Sequence, residues 1–275
     1  MTREIVLSLL QLSLLAGAMG AALSAMMAVA WQVQRTTGHT GWIDVCWTFG
    51  TGTVAALGSL APLGSNDAPR ARQVVVALLI LLWSLRLGGH IVLRTRAVGD
   101  DPRYRDLIQQ WGANADFRMF LQLQSQAAVG LILAVSVVLA ARNARPSLGI
   151  ADFLGFALLV GALAGEALSD WQLRRFKSDP ANRGRICEDG LWSLSRHPNY
   201  FFEWLCWLAY PLIAIDMSGA NPFGWISLLA PACMYWVLVH VSGIPPLEAH
   251  MLRSRGEQFR ALQARTRAFF PFPRT

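Results

Sequence analysis

Residues 190–204 read GLWSLSRHPNYFFEW, with Arg196, His197, Asn199, Tyr200 and Glu203 crowded around Pro198 where an apolar run begins. Proline suits the first turn of a helix, where no backbone N–H is needed. A helix therefore starts near His197, and its apolar continuation through residue 217 approaches the length that crosses a bilayer. Unpaired N–H groups and the positive dipole end make such a start a natural anion site. Asn199 and Glu203 lie one turn apart on one face, with Tyr200 beside them. Headgroup anchoring accounts for Arg196 and His197, and an interfacial position accounts for Tyr200. Neither accounts for Glu203, a carboxylate inside the hydrophobic run.

That run is one of seven. The stretches 5–30, 43–63, 73–93, 124–141, 148–168, 200–217 and 222–243 are apolar and nearly uncharged. Each is near the ~20 residues an α-helix needs to span a membrane. The composition agrees, with 54% hydrophobic residues, eleven Trp and a single Lys. The expected fold is all-α: a polytopic membrane protein of seven transmembrane helices forming one domain over 1–275. The first run is too long for a signal peptide and lacks a convincing cleavage site, so it reads as a retained helix.

Seven spans put the termini on opposite sides. One side then carries Arg3, Arg70, Arg72, Arg142 and Arg145; the other carries eighteen basic residues, including Arg94, Arg96, Arg103, Arg174, Lys177 and Arg196. The positive-inside rule places the crowded side, and the C-terminus, in the cytoplasm. Topology and anionic lipid account for most of the net charge of +7. A phosphate-bearing ligand on the same face is the sharper reading. The arginines are dispersed among loops instead of lining a groove, which argues against nucleic acid. The four cysteines are scattered without zinc spacing, and the five histidines do not cluster. No metal is expected.

Further chemistry stands at the end of the fifth span, GEALSDWQLRRFK. Glu166, Asp170 and Arg174 fall at i, i+4 and i+8 on a continuing helix, with Lys177 a turn further along the stripe. An Asp170–Arg174 ion pair explains part of this and leaves Glu166, a turn deeper, unexplained. A ligand with several hydroxyl or amide donors accounts for both carboxylates. Among the early spans, Asp44 lies in GWIDVCW, and Arg86 and His90 share a helix face in the third. Arg86, at mid-membrane, needs a cavity or a carboxylate, and Asp44 is one such partner. Residues 94–120 and the tail after 243 both read as amphipathic surface helices.

DGLWSLSRHPNYFFEW, preceded by SDWQLRRFK and followed by SGIPPLEAHMLRSRGEQFRALQARTRAFFP, resembles the steroid 5-alpha-reductase family, and most closely its uncharacterised bacterial membrane branch. GWIDVCWTFG and GDDPRYRDLIQQW resemble segments of the same branch. The resemblance implies an NADPH-dependent reductase of a carbon–carbon double bond conjugated to a ketone. Residues 1–120 would form the substrate-side helices and a cytoplasmic loop, and 121–275 the cofactor-binding helices and C-terminal amphipathic helix. Asn199, Tyr200 and Glu203 match the family's NY..E cofactor contacts, and Asp170 matches the aspartate of the preceding span. Lys177 stands where the family has a phosphate-binding arginine, and Glu166 where eukaryotic relatives have asparagine. Arg174, Arg196, His197 and Arg103 complete the candidate cofactor set. In the relatives a glutamate on the second span and a tyrosine on the third polarise the enone carbonyl. Here the third span has no tyrosine, so Asp44, Arg86 and His90 are the candidate catalytic residues, with Tyr104 next. The implied substrate is lipid-like or steroid-like, with membrane lipids around the protein and no obligatory protein partner. The implied location is a bacterial inner membrane, the active site facing the cytoplasm.

A second class shares part of the signal. Membrane methyltransferases acting on isoprenylcysteine or phospholipid carry a similar RHP.Y motif and bind S-adenosylmethionine. They have fewer spans, lack the D......K segment, and place a small residue where Phe202 stands.

Overall fold

The computed structural model describes residues 3–62, 70–98, 102–219 and 221–272, and every regular element among them is helical. Residues 99–101 of the GDDPRY segment, and Arg274 and the final residue of the basic tail, lie outside the described residues. The chain divides into two units, one of Met1–Asp152 with Ile213–Leu229, the other of Phe153–Leu212 with Ala230–Thr275.

The first unit contains α1 (Arg3–Thr37), α2 (Ile43–Leu60), α3 (Ala71–Val98), α4 (Pro102–Trp111) and α5 (Ala115–Ala141). Leu23, Met27, Ile43, Tyr104, Met119 and Leu123 form a core cluster in which each is at most 5% exposed. Short polar side chains tie the helices through carbonyls that an apolar bundle would otherwise leave to their own helix. Ser84 Oγ donates to Thr48 O at 3.1 Å, Thr95 Oγ1 to Gly41 O at 3.0 Å, and Trp47 Nε1 to Gln126 O at 2.8 Å. Arg72 is 3% exposed and Asp152 0%, and they form a bidentate pair at 2.7 and 3.0 Å. Arg72 also donates to the carbonyls of Asn143, Arg145 and Ser147. A buried guanidinium is tolerated only with its donors satisfied in this way.

The second unit contains most of α6 (Ile150–Ser178), α7 (Leu191–Leu194), α8 (Pro198–Ala214) up to Leu212, α9 (Leu229–Trp236) from Ala230, α10 (Ile244–Arg255) and α11 (Glu257–Arg265). A π-helical turn at Val237–Val241 and Gly243 separate α9 from α10. Phe269 anchors the tail. It is 4% exposed, with ring centroids 5.1 to 5.8 Å from those of Phe270, Tyr235, Phe201 and Trp204. These edge-on contacts each add about 0.5–1.5 kcal/mol beyond area burial.

Among the described residues, five stretches are long and apolar enough to cross a membrane: Leu10–Thr37, Ala71–Ala97, Arg103–Ala141, Ile150–Ser178 and Pro222–Arg255. The last, at 34 residues, is longer than the ~20 a crossing needs, and its charged residues Glu248, Arg253 and Arg255 all fall in its final helix, α10. The sequence led us to expect seven. The other two expected spans are α2, of 18 residues, and α8, of 17. At 1.5 Å per residue they reach about 27 and 26 Å, short of the ~30 Å hydrocarbon core.

Candidate functional site

Two polar groups stand out, one in each unit. In the second unit, α6 and α8 run antiparallel and meet in layers one helical turn apart. The outer layer pairs Asp170 with Asn199, whose Nδ2 donates to Asp170 Oδ1 at 3.3 Å. One turn deeper on each helix are Glu166 and Glu203, with Cys206 following on α8. Glu166, Asp170 and Glu203 are 4–5% exposed, a low value for three carboxylates in one bundle. The ligand atoms of Glu166, Glu203 and Cys206 lie within 4.8 Å of one another. Trp207 Nε1 donates to Glu203 Oε1 at 2.9 Å.

The approach of the helices has a local cause. At Gly165 a side chain would stand 2.4 Å from the Phe202 ring, so the bare backbone there makes room for that phenyl group. The loop before α8 is pinned on α6. Trp192 Nε1 donates to Ser169 O at 2.9 Å, and Gln172 Oε1 accepts from Leu191 N at 3.0 Å. Gly190 turns that loop with φ +58°, a conformation that disfavours other residues, and any Cβ would meet Gln172 at 2.3 Å.

Arg174 and Lys177 are exposed, one and two turns out from Asp170 along α6. Tyr200 is half-buried and stacks on His197, with centroids 5.6 Å apart and planes at 11°. Arg196 and His197 reach the C-terminal segment. Arg196 donates through Nε and Nη2 to Glu248 Oε1, both at 2.7 Å, and His197 Nε2 meets the same oxygen at 3.1 Å. Gln263 Nε2 donates to Glu248 Oε2 at 2.8 Å, and Arg196 Nη1 reaches Thr266 O. Burial pushes the Glu248 carboxyl up, but hydrogen bonds from His197, Arg196 and Gln263 outweigh this and hold its pKa at about 2. The two residues that flank the α8 N-terminus thus clamp the C-terminal segment. Glu248 and Gln263 carried no signal in the sequence beyond an amphipathic tail.

In the first unit, Asp44 opens α2. Arg103 Nη2 donates to Asp44 Oδ2 at 2.5 Å, Tyr104 Oη donates to Oδ1 at 2.8 Å, and Gln126 Nε2 donates to Tyr104 Oη at 2.7 Å. Arg103, expected among the cofactor residues, is the ion-pair partner of Asp44. Tyr104, only 5% exposed, is joined to the same carboxylate. Arg86 and His90 are half-buried on α3. Tyr104 was the next candidate in the sequence, but its bond to Asp44, 60 positions earlier, was not legible there, nor was Gln126, which reaches the Tyr104 hydroxyl from α5.

The chain matches, over residues 30–266, the family described as "Protein of unknown function (DUF1295)". It belongs to the DUF1295 family. This is a family of the steroid 5-alpha-reductase and methyltransferase-like kind. An uncharacterised protein of Schizosaccharomyces pombe is 25% identical to this DUF1295 protein over 232 residues, 73% of the chain. The chain spans 66% of that relative's length, just under two thirds. No solved structure matches it.

Proposed function

We infer that this DUF1295 protein is an integral-membrane reductase that takes NADPH in its second unit and reduces a conjugated carbon–carbon double bond on a lipid-like or steroid-like ketone. The observation that carries the reading is the Asp170–Asn199 pair beside the N-terminus of α8, its carboxylate buried and its amide half-buried. The residues fit a dinucleotide. Asp170 accepts from hydroxyl or amide donors, Asn199 offers both a donor and an acceptor, and Tyr200 presents a ring for stacking. Arg174 and Lys177, exposed further out on α6, suit phosphates. Glu166 and Glu203, one turn deeper, repel phosphate and so favour entry of the uncharged carboxamide end. NADPH, when bound, supplies a hydride.

The first unit supplies acid–base chemistry. An enone oxygen gathers negative charge as the double bond is reduced, so a donor placed against it lowers the barrier. In our reading the Tyr104 hydroxyl becomes that donor when its single O–H, which in the free protein goes to Asp44 Oδ1, turns to the enone oxygen. Gln126 and Asp44 fix its orientation, and Arg103 balances the Asp44 charge. Tyr104 thereby takes the role that the sequence offered to Arg86 and His90. The basic face is cytoplasmic under a seven-span topology, and a reporter fused after Thr275 tests this by reading the cytoplasm.

The experiment is ligand-dependent stabilisation of the purified chain. At a hundredfold excess over Kd, NADPH adds about 2.7 kcal/mol to the native state. Asn199→Ala removes most of that shift, and Lys177→Ala weakens NADPH more than NADH. Stabilisation by S-adenosylmethionine in place of NADPH would turn the reading to a methyltransferase.

A further inference from the structure

We propose that a groove at the start of α5 holds one anionic phospholipid of the surrounding bilayer, with the lipid phosphate on Arg118. The inference stands apart from the reductase reading, because none of the residues lining the groove belongs to the two polar groups described above.

Trp111, Arg118, Leu121, Gln122 and Ser125 line a groove of about 260 Å3, where a 3-10 turn at Gly112–Asn114 leads from α4 into α5. The four on α5 fall at i, i+3, i+4 and i+7, one stripe of the helix. Leu107, Ile108 and Trp111 of α4 pack against the core cluster, while Arg105, Gln109 and Gln110 are exposed. That division suits a helix lying at the membrane surface, with Trp111 at the headgroup level that tryptophan favours.

The length of α5 sets the depth of the groove. Its 27 residues reach about 40 Å, roughly 10 Å more than the ~30 Å hydrocarbon core. Residues Ala127–Ala141 include one polar side chain, Ser136, whereas Asp116, Arg118, Gln122, Gln124, Ser125 and Gln126 crowd the first half. The surplus therefore lies at the N-terminal end, which puts Arg118 at the level of the lipid phosphates. Below it Leu121, Ala128 and Ile132 are exposed along the helix, an apolar track for an acyl chain.

Charge selects the headgroup. Asp116, the carboxylate nearest to Arg118 in the chain, is held by Arg35 at 3.3 Å. Among the described residues no carboxylate lines the groove, and the Arg118 and Gln122 side chains make no hydrogen bond or ion pair within the protein. An ammonium headgroup finds no counter-charge there. A phosphate accepts two parallel N–H bonds from the guanidinium. Gln122, one turn deeper, can donate its amide N–H to an ester carbonyl.

The test titrates the full-length protein in non-ionic detergent with dioleoylphosphatidylglycerol or dioleoylphosphatidylcholine and counts bound lipid by native mass spectrometry. One phosphatidylglycerol per chain is expected, bound more tightly than phosphatidylcholine. Arg118→Gln should weaken phosphatidylglycerol by about fivefold. Arg105→Gln, which removes an equally exposed charge outside the groove, should leave it within about twofold. Gln122→Glu, which places a carboxylate in the groove, should also weaken phosphatidylglycerol and leave phosphatidylcholine unchanged. Lipid-free melting curves identify any variant that fails to fold, and Gln122→Glu decides if Arg118→Gln is lost. Equal binding of the two lipids, or equal weakening by Arg118→Gln and Arg105→Gln, overturns the proposal. Release of the lipid by equimolar inorganic phosphate also overturns it, because the groove would then take a soluble anion.

Discussion

Replacing Glu248 by Gln tests the clamp that joins the α8 N-terminus to the C-terminal segment. In the native protein one carboxylate satisfies Arg196 twice, His197 once and Gln263 once. The Arg196 and Glu248 side chains are 9% and 13% exposed, so water screens the pair weakly. The magnitude follows by two routes. The Glu248 pKa is lowered from 4.5 to about 2, which at ~1.4 kcal/mol per unit corresponds to roughly 3 kcal/mol. Breaking a buried pair by removing one partner costs about 3–5 kcal/mol, in the same range. A loss of that size lowers the melting midpoint by about 6–12 °C. Because the folded pKa lies below the unfolded one, the carboxylate stabilises fully above about pH 4.5, and its contribution fades as pH falls through 4.5 toward 2. The assay is thermal unfolding of the purified protein in a non-ionic detergent, repeated from pH 7 down to pH 2. Wild type should lose midpoint on the acid side, and Glu248→Gln should start lower and lose less. A variant melting within about 1 °C of wild type at pH 7, or one with an unchanged acid slope, would refute the reasoning.

Asp152→Asn leaves the Arg72 guanidinium, 3% exposed, without its counter-charge, and should cost about 3–5 kcal/mol in the same melts. The double change Arg72→Met with Asp152→Leu should recover most of that loss, because no charge is then left buried. Tyr104→Phe removes the proposed donor and should slow single-turnover NADPH oxidation with an enone panel by about a hundredfold. NADPH-induced stabilisation should survive in that variant, since Tyr104 belongs to the other unit. Full activity in Tyr104→Phe would return the donor role to Arg86 or His90.

The helices themselves were legible in the sequence because bilayer crossing depends on local composition. A long apolar run without charges forms a helix whatever its neighbours are, since lipid leaves its backbone no other hydrogen-bond partners. Pro198 marked the start of α8, and Glu203 stood out as polar inside an apolar run, for reasons contained in a few adjacent residues. The i, i+4 rule also put Glu166 above Asp170 on one stripe of α6 before any neighbour was known. Pairing across helices was not legible, because contact between side chains far apart in the chain depends on how faces dock. Only the tertiary structure set Asp170 against Asn199, brought Cys206 toward Glu166, and carried Arg103 to Asp44. Arg196 and His197 show the limit most plainly. Their charge suggested a phosphate or a lipid headgroup, and nothing local in the sequence showed that Glu248, some fifty positions later, comes within 3.1 Å of both. Composition determines where a helix forms in lipid, and docking determines which buried charge finds which partner.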